Sequence, residues 1–219
     1  MNLESIKKII GDNFIDSISI KLSNTDEITI IADSNIVFDL CKFLKYKKEL
    51  QLNALADISG IDYLDYGKSY WETIDSTSKG FSRGHKTDIN YSLYMKNRFA
   101  VSYHLLSHTL NFRVRVKVFA DLKNMCVPSV VDLWSTANWH EREIYDFFGI
   151  IFLGHPNLIR ILTDYGFEGH PLRKDFPLTG KYEIRYDENK QKIIREASLI
   201  KRVINTPKII RKDFRYKHA

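Results

Sequence analysis

The sequence predicts an α+β fold: a two-layer domain with a mixed or antiparallel sheet packed on helices over residues 1–153, then an extended irregular C-terminal arm over residues 154–219. Three observations predict it. Phe112–Phe119 sets Val114, Val116 and Val118 against Arg113, Arg115 and Lys117, the alternation of a strand with one buried and one wet face. Ile36, Val37, Leu40, Phe43 and Leu44 recur at helical spacing. From Gly154 onward, Pro156, Gly166, Gly169, Pro171, Pro177 and Gly180 punctuate the chain too densely for long regular elements.

The remaining elements follow in order. Leu3, Ile6, Ile9 and Ile10 predict a first helix, and Ser17–Leu22 and Glu27–Ala32 two short strands. Asp33 or Ser34 can cap the helix on 36–44, and Lys45, Lys47 and Lys48 suit the negative end of its dipole. Leu52–Ile58 is a strand candidate and Asp62–Lys86 a polar excursion. Ile89–Met95, Ala100–Leu106 and Phe112–Phe119 then form a meander, with turns at Asn97-Arg98 and Ser107–Asn111. Pro128 suits a helix start before Val130, Val131, Leu133 and Trp134, and a further helix runs from Ala137 to Phe148, stopping at Gly149. A helix, a hairpin, a helix and a meander argue for two layers, not a doubly wound parallel sheet.

Composition narrows the function. At 219 residues with 44% hydrophobic and 13% aromatic content, the chain has the apolar material for a packed core. Residues 1–16 mix Glu4, Asp12 and Asp16 with Lys7 and Lys8, unlike a secretory signal or an Arg-rich import sequence, so no cleavable address is expected. Cys41 and Cys126 stand far apart with no CxxC, too few thiols for an iron–sulfur cluster or a disulfide framework. Residues 181–219 carry 12 Lys+Arg against 5 Asp+Glu, a net +7, so residues 1–180 hold the remaining 21 against 22. The basic excess therefore lies in the tail, which either seeks an acidic surface or simply keeps the chain soluble.

Motifs for chemistry are broken or absent. Neither GxGxxG nor GxxxxGK[ST] occurs, and no GxSxG supports a nucleophile. His140-Glu141 begins like HExxH, but Ile144 stands where the second ligand belongs. His155 and His170, each between Gly and Pro, with Asp164 and Asp175 could ligate a metal; alternatively, each imidazole bonds the backbone in its own turn. A tail-borne RNA-binding role is the other competing class. The densest polar cluster is His140-Glu141-Arg142-Glu143-Ile144-Tyr145-Asp146. On a helix Arg142 and Asp146 are four apart and can pair, and the charged and aromatic surface suits a protein contact.

The run Glu141-Arg142-Glu143-Ile144-Tyr145-Asp146-Phe147-Phe148-Gly149, followed by Gly154-His155-Pro156, resembles the signature of the thirty-kilodalton subunit of respiratory complex I, NADH:ubiquinone oxidoreductase. Arg160–Leu178, including Gly169-His170-Pro171-Leu172-Arg173-Lys174-Asp175-Phe176-Pro177, resembles the same family nearly residue for residue. The motif-level likeness covers about residues 137–187. One departure is Ile159, where the family usually has a basic residue; Arg160 follows.

The resemblance implies a core subunit of the hydrophilic arm that holds no flavin, cluster, quinone or metal and has no catalytic residue of its own. It implies a peripheral protein with no membrane span and no nucleic-acid partner. Packed beside the quinone-site subunits, it supports electron transfer from NADH to quinone by positioning them. Glu141, Arg142, Glu143 and Asp146 on the helix, with His155, His170, Arg173, Lys174 and Asp175 on the arm, are the residues expected at partner interfaces. Wording near the C-terminus most resembles the mitochondrial branch, which implies the matrix side of the inner membrane; the alternative is the cytoplasmic face of a bacterial inner membrane.

Overall fold

Apolar side chains on three strand segments after residue 53 supply much of the hydrophobic core. A computed structural model describes residues 3–14, 18–22, 27–64, 71–77, 80–85, 97–120, 124–177, 179–180 and 182–198. The chain divides into two units: residues 1–64 with 94–176, and residues 65–93 with 177–219.

In the first unit, α1 (Leu3–Asn13), β1 (Ile18–Leu22) and β2 (Ile28–Ala32) lead through a 3-10 turn (Ser34–Ile36) to α2 (Val37–Tyr46). Then come β3 (Ala54–Asp62), β4 (Phe99–Ser107), β5 (Phe112–Phe119), β6 (Cys126–Pro128), α3 (Ala137–Phe148) and β7 (Ile151–Leu153). Five strands join in the order β1-β2-β5-β4-β3, and only the β2–β5 pairing is parallel. The expected mixed sheet with helices is therefore present. Val114, Val116 and Val118 on β5 are buried beside Val101, Tyr103 and Leu105 on β4 and Ile28 and Ile30 on β2. Ile6, Ile10, Val37, Leu40 and Leu44 belong to the same core.

Several expectations are corrected. Pro128 ends strand β6, paired in parallel with β7, and does not begin a helix. Residues 131–136 make turns, with Leu133 and Trp134 N–H both donating to Val130 O, and the helix starts only at Ala137. The N–H of Val130 donates to Glu141, a side-chain carboxylate on α3 itself. Asp33 precedes the 3-10 turn but makes no side-chain cap. Arg98, expected in a turn, is buried. The strand expected at Ile89–Met95 lies outside the described residues.

The second unit holds two hairpins, β8 (Trp71–Thr77) with β9 (Gly80–His85) and β10 (Tyr182–Asp187) with β11 (Lys192–Ala197). The first falls in what read as a polar excursion. The second corrects the irregular arm over 182–197. Tyr182, Ile184 and Tyr186 alternate along β10, and the Asp187 carboxylate accepts from Asn189 and Lys190 N–H in the turn. Irregular turns do fill residues 154–177, as the Gly and Pro density implied.

Gly60 on β3 sits under α3. A Cβ there would stand 2.6 Å from Cδ2 of Phe148 and 3.2 Å from Cγ2 of Ile144. Only glycine lets the helix lie this close to the strand. Gly60→Ala is expected to lower stability by about 1–3 kcal/mol through overpacking, seen as a lower urea midpoint with little change in slope.

Candidate functional site

Helix α3 carries three acids, and its surroundings sort them into different jobs. Glu141 points inward with no exposed surface. Its two oxygens accept from Ser129 Oγ–H at 2.6 Å and Val130 N–H at 2.8 Å. The carboxylate thereby fastens the loop after β6 onto the helix. Burial, which outweighs these two donors, pushes its pKa up to about 7.

Asp146, one turn later, is also fully buried. One oxygen accepts from the N–H groups of Ile161 (3.1 Å), Leu162 (2.8 Å) and Thr163 (3.0 Å). The other accepts from Thr163 Oγ1–H at 2.6 Å, with Arg160 Nη1 at 3.6 Å. Successive N–H groups make an anion-binding nest around the charge. Burial works to raise this pKa, but the hydrogen bonds from Thr163, Leu162 and Ile161 prevail and hold it below the usual carboxylate range. Asp146 therefore does not pair with Arg142. Arg142 instead lies over the Trp139 ring at 4.9 Å and donates from Nε to Ile159 O at 3.2 Å.

The end of α3 is closed by the same downstream segment. Gly149 takes φ 74° and its N–H bonds Tyr145 O, leaving the last carbonyls without helical donors. His170 Nδ1 donates to Asp146 O at 2.9 Å, Leu172 N–H to Phe147 O at 3.2 Å, and Arg173 Nε to Phe148 O at 2.6 Å. A guanidinium at a helix C-terminus also complements the dipole. A Cβ on Gly149 would lie 2.4 Å from Arg173 Nη2 and 2.5 Å from His170 Nε2, so this position requires glycine twice over.

A third fastening uses residues that no sequence pattern marked. Asp62 receives a bidentate pair from Arg98, Nε to Oδ1 at 2.9 Å and Nη2 to Oδ2 at 2.8 Å. Lys174 N–H donates to Asp62 Oδ2 at 2.9 Å, and Arg98 Nη2 also reaches Asp175 at 3.0 Å. Burial works against the Asp62 charge, but Arg98 and the Lys174 and Leu64 N–H groups hold its pKa low. Neither Asp62 nor Arg98 carries a local motif, so pairing across 36 positions was invisible in the sequence. Ser129 and Thr163 were missed similarly; each is an ordinary loop residue until a carboxylate arrives.

Of the nine residues expected at partner interfaces, Glu141 and Asp146 lie buried within this chain, where they fasten the loops on either side of α3. His170 and Arg173 cap α3, Lys174 acts through its backbone, and Asp175 joins Arg98. His155 Nδ1 accepts from Asn157 N–H at 3.0 Å, so Nε2 bears the proton and faces Asn138 O at 3.2 Å. Glu143 remains partly open beside β3. The metal quartet is not assembled: His155 and His170 serve backbone carbonyls, Asp175 pairs with Arg98, and no three or more His, Cys, Asp or Glu converge among the described residues. Among the described residues, no helix is long and apolar enough to cross a membrane.

What the geometry leaves outside is apolar. Trp139 is 61% exposed, and Leu153, Leu162 and Tyr165 are 56%, 56% and fully exposed on a segment whose backbone is tied down. Residues 30–182 match the family described as respiratory-chain NADH dehydrogenase, 30 Kd subunit, and the chain belongs to that family.

Relatives named as the C-type subunit of NADH-quinone oxidoreductase are similar over nearly all its length. That of Coxiella burnetii (strain RSA 493 / Nine Mile phase I) is 43% identical over 209 residues, covering 94% of this chain and 92% of the relative. That of Legionella pneumophila (strain Paris) is 47% identical over 192 residues, 87% and 84% of the two chains. That of Hydrogenovibrio crunogenus is 46% identical over 215 residues, 95% and 93%. A solved trypsin-resistant fragment (1–134) of Nqo5 matches 72% of this chain and all of the fragment, at 28% identity and TM-score 0.50. A chain of the archaeal membrane-bound sulfane sulfur reductase matches 87% of this chain and 98% of its own at TM-score 0.57; at 23% identity it shows the fold alone. The relatives named here by organism are bacterial, which lends no support to the mitochondrial branch.

Two outcomes test the site. Asp146→Ala strands the nest and Arg160, and is expected to cost about 3–5 kcal/mol; limited proteolysis should then cut within 154–169 faster than in the parent. For Glu141, the raised folded pKa means the folded state holds a proton that the unfolded state has lost between about pH 4.5 and 7. Its contribution therefore declines as pH rises through that window, by on the order of 3 kcal/mol. His104 and His170, with pKa lowered by burial, act in the opposite sense near the ordinary imidazole range. The difference in urea stability between parent and Glu141→Gln isolates the carboxyl and is expected to shrink steadily from pH 5 to 7.5.

Proposed function

We propose that this chain is a structural subunit of the hydrophilic arm of a proton-pumping NADH-quinone oxidoreductase, working without a cofactor of its own. Residues 1–153 act as the body and 154–219 as the part that engages neighbours, above all the subunits that build the quinone site. The observation that carries this reading is the segment after α3. Its backbone is fastened by Asp146, Asp62, His170 and Arg173, while Ile159, Leu162, Tyr165 and Leu172 stay exposed. Fastening the backbone beforehand lowers the ordering cost of association and leaves apolar area to be buried on contact. Arg142, Glu143, His155, Lys174 and Asp175 rim this surface, whereas Glu141 and Asp146 act on it from inside. Bacterial relatives favour the cytoplasmic face of a bacterial inner membrane over the mitochondrial matrix side.

Native-gel analysis with NADH-oxidation staining and mass spectrometry tests the assignment. Co-migration with flavin and iron–sulfur subunits in a very large active band is expected; migration as a free small protein overturns it. Trp139→Ser combined with Tyr165→Ser is expected to cut the amount of assembled complex by about tenfold, as loss of aromatic anchors does. Turnover per assembled complex should stay near the parental value. Loss of turnover in fully assembled complex would instead assign this surface a part in the reaction.

A further inference from the structure

Among the described residues, strand β3 is the last strand of its sheet. Tyr63 N–H donates to Arg98 O at 2.8 Å, which sets the phase of its ladder with β4. Asp57, Ser59 and Ile61 lie opposite His104, Ser102 and Ala100 in that same phase and bond inward. The alternate residues, Ile58 and Gly60, therefore turn their N–H and C=O groups to the outer edge, where they meet no partner among the described residues. A register shift between Leu55 and Asp57 interrupts the ladder, which pairs Ala54 and Leu55 before it and Asp57 to Asp62 after it.

An unpaired edge is ordinarily blunted by a lysine, a proline or a covering element. Here it opens on a groove of ≈ 230 Å³ between β3 and α3, lined by Ile58, Gly60, Ile144, Phe147, Phe148 and Leu172. The floor is apolar, and the closeness of the helix follows from Gly60 lying under Phe148. The rim is acidic: Asp57 and Glu143 line the same groove. The Asp57 side chain is 51% exposed, with His140 Nδ1 at 3.5 Å from one oxygen and Ser59 Oγ–H donating to the other at 2.6 Å. A free strand edge, an apolar trough beside a helix and paired acids together fit an extended chain that supplies hydrogen bonds, alternate apolar side chains and positive charge.

We infer that the outer edge of β3 receives an extended, lysine- or arginine-bearing segment of a neighbouring protein subunit as an added strand, lying in the groove between β3 and α3. This rests on the assembly role proposed above and assigns the partner its chemistry. The added strand bonds the N–H and C=O groups of Ile58 and Gly60, seats an apolar side chain against Phe147 and Leu172, and faces Asp57 and Glu143 with its cations.

Hydrogen–deuterium exchange on the intact complex and on the free full-length chain tests this directly. The Ile58 and Gly60 amides are expected to exchange at least about tenfold more slowly in the complex. Asp57→Lys with Glu143→Lys should remove most of that protection. A zero-length carboxyl–amine cross-linker should join Asp57 or Glu143 to a lysine of another subunit. Equal exchange of the two amides in both states overturns the inference, and so does protection that ignores the charge reversal. Cross-links only to this chain's own tail, or to a helix of the partner, overturn it as well. If the chain never enters the complex on a native gel, the assembly reading fails and this inference falls with it; a complex that forms with both amides unprotected refutes the added strand alone.

Discussion

A carboxylate taken out of water must find donors, and the structure around α3 is organised by how Asp146 finds them. Its charge costs several kcal/mol to bury unless hydrogen bonds replace the lost water. Ile161, Leu162 and Thr163 supply three backbone donors and Thr163 a hydroxyl. Those donors belong to a stretch that forms neither helix nor strand. The benefit is mutual: the carboxylate is solvated by backbone, and the backbone gains the acceptor that no secondary structure offers it.

The same reciprocity closes the helix. Carbonyls at a helix C-terminus need donors from outside, and His170, Leu172 and Arg173 provide them for Asp146, Phe147 and Phe148. Gly149 makes this possible by turning left-handed and by leaving room for both side chains. With Asp62 holding Lys174 and Arg98 holding Asp175, the segment from 160 to 175 is anchored at both its ends by polar contacts. Its apolar side chains are then free to face outward. Polar fastening of this kind accounts for the charges clustered around α3: Asp146, His170 and Arg173 each serve a backbone group.

Charge placement also separates fastening from recognition. Glu141 and Asp146 lie on α3 with no exposure, whereas Glu143, between them, lines an open groove. Helical geometry puts residues two apart on opposite sides, so the run Glu141-Arg142-Glu143 distributes its charges around the helix. The buried pair of acids secures the loop before the helix and the loop after it; the open one lines the groove beside β3.

Much of this was legible in sequence, and the limit is physical. Period-two alternation on 99–119, helical spacing on 36–44 and 137–148, and the glycine stop at 149 are local patterns that mark where each element lies, because side-chain direction repeats within a few residues. Two long motifs marked the family. What they could not reveal was direction of use. Glu141 and Asp146 read as surface charges because isolated acids favour water, and only a fold that brings Ser129, Val130 and residues 161–163 to them makes burial tolerable. Asp62 and Arg98 show no pattern at all until β3 and β4 pair. The sequence by itself determined α1, α2 and α3, the strands β1, β2, β4 and β5, the family and the irregular stretch after α3. Tertiary structure alone decided which charges turn inward and which strand edge stays open, because those outcomes depend on donors and neighbours that are distant in the chain.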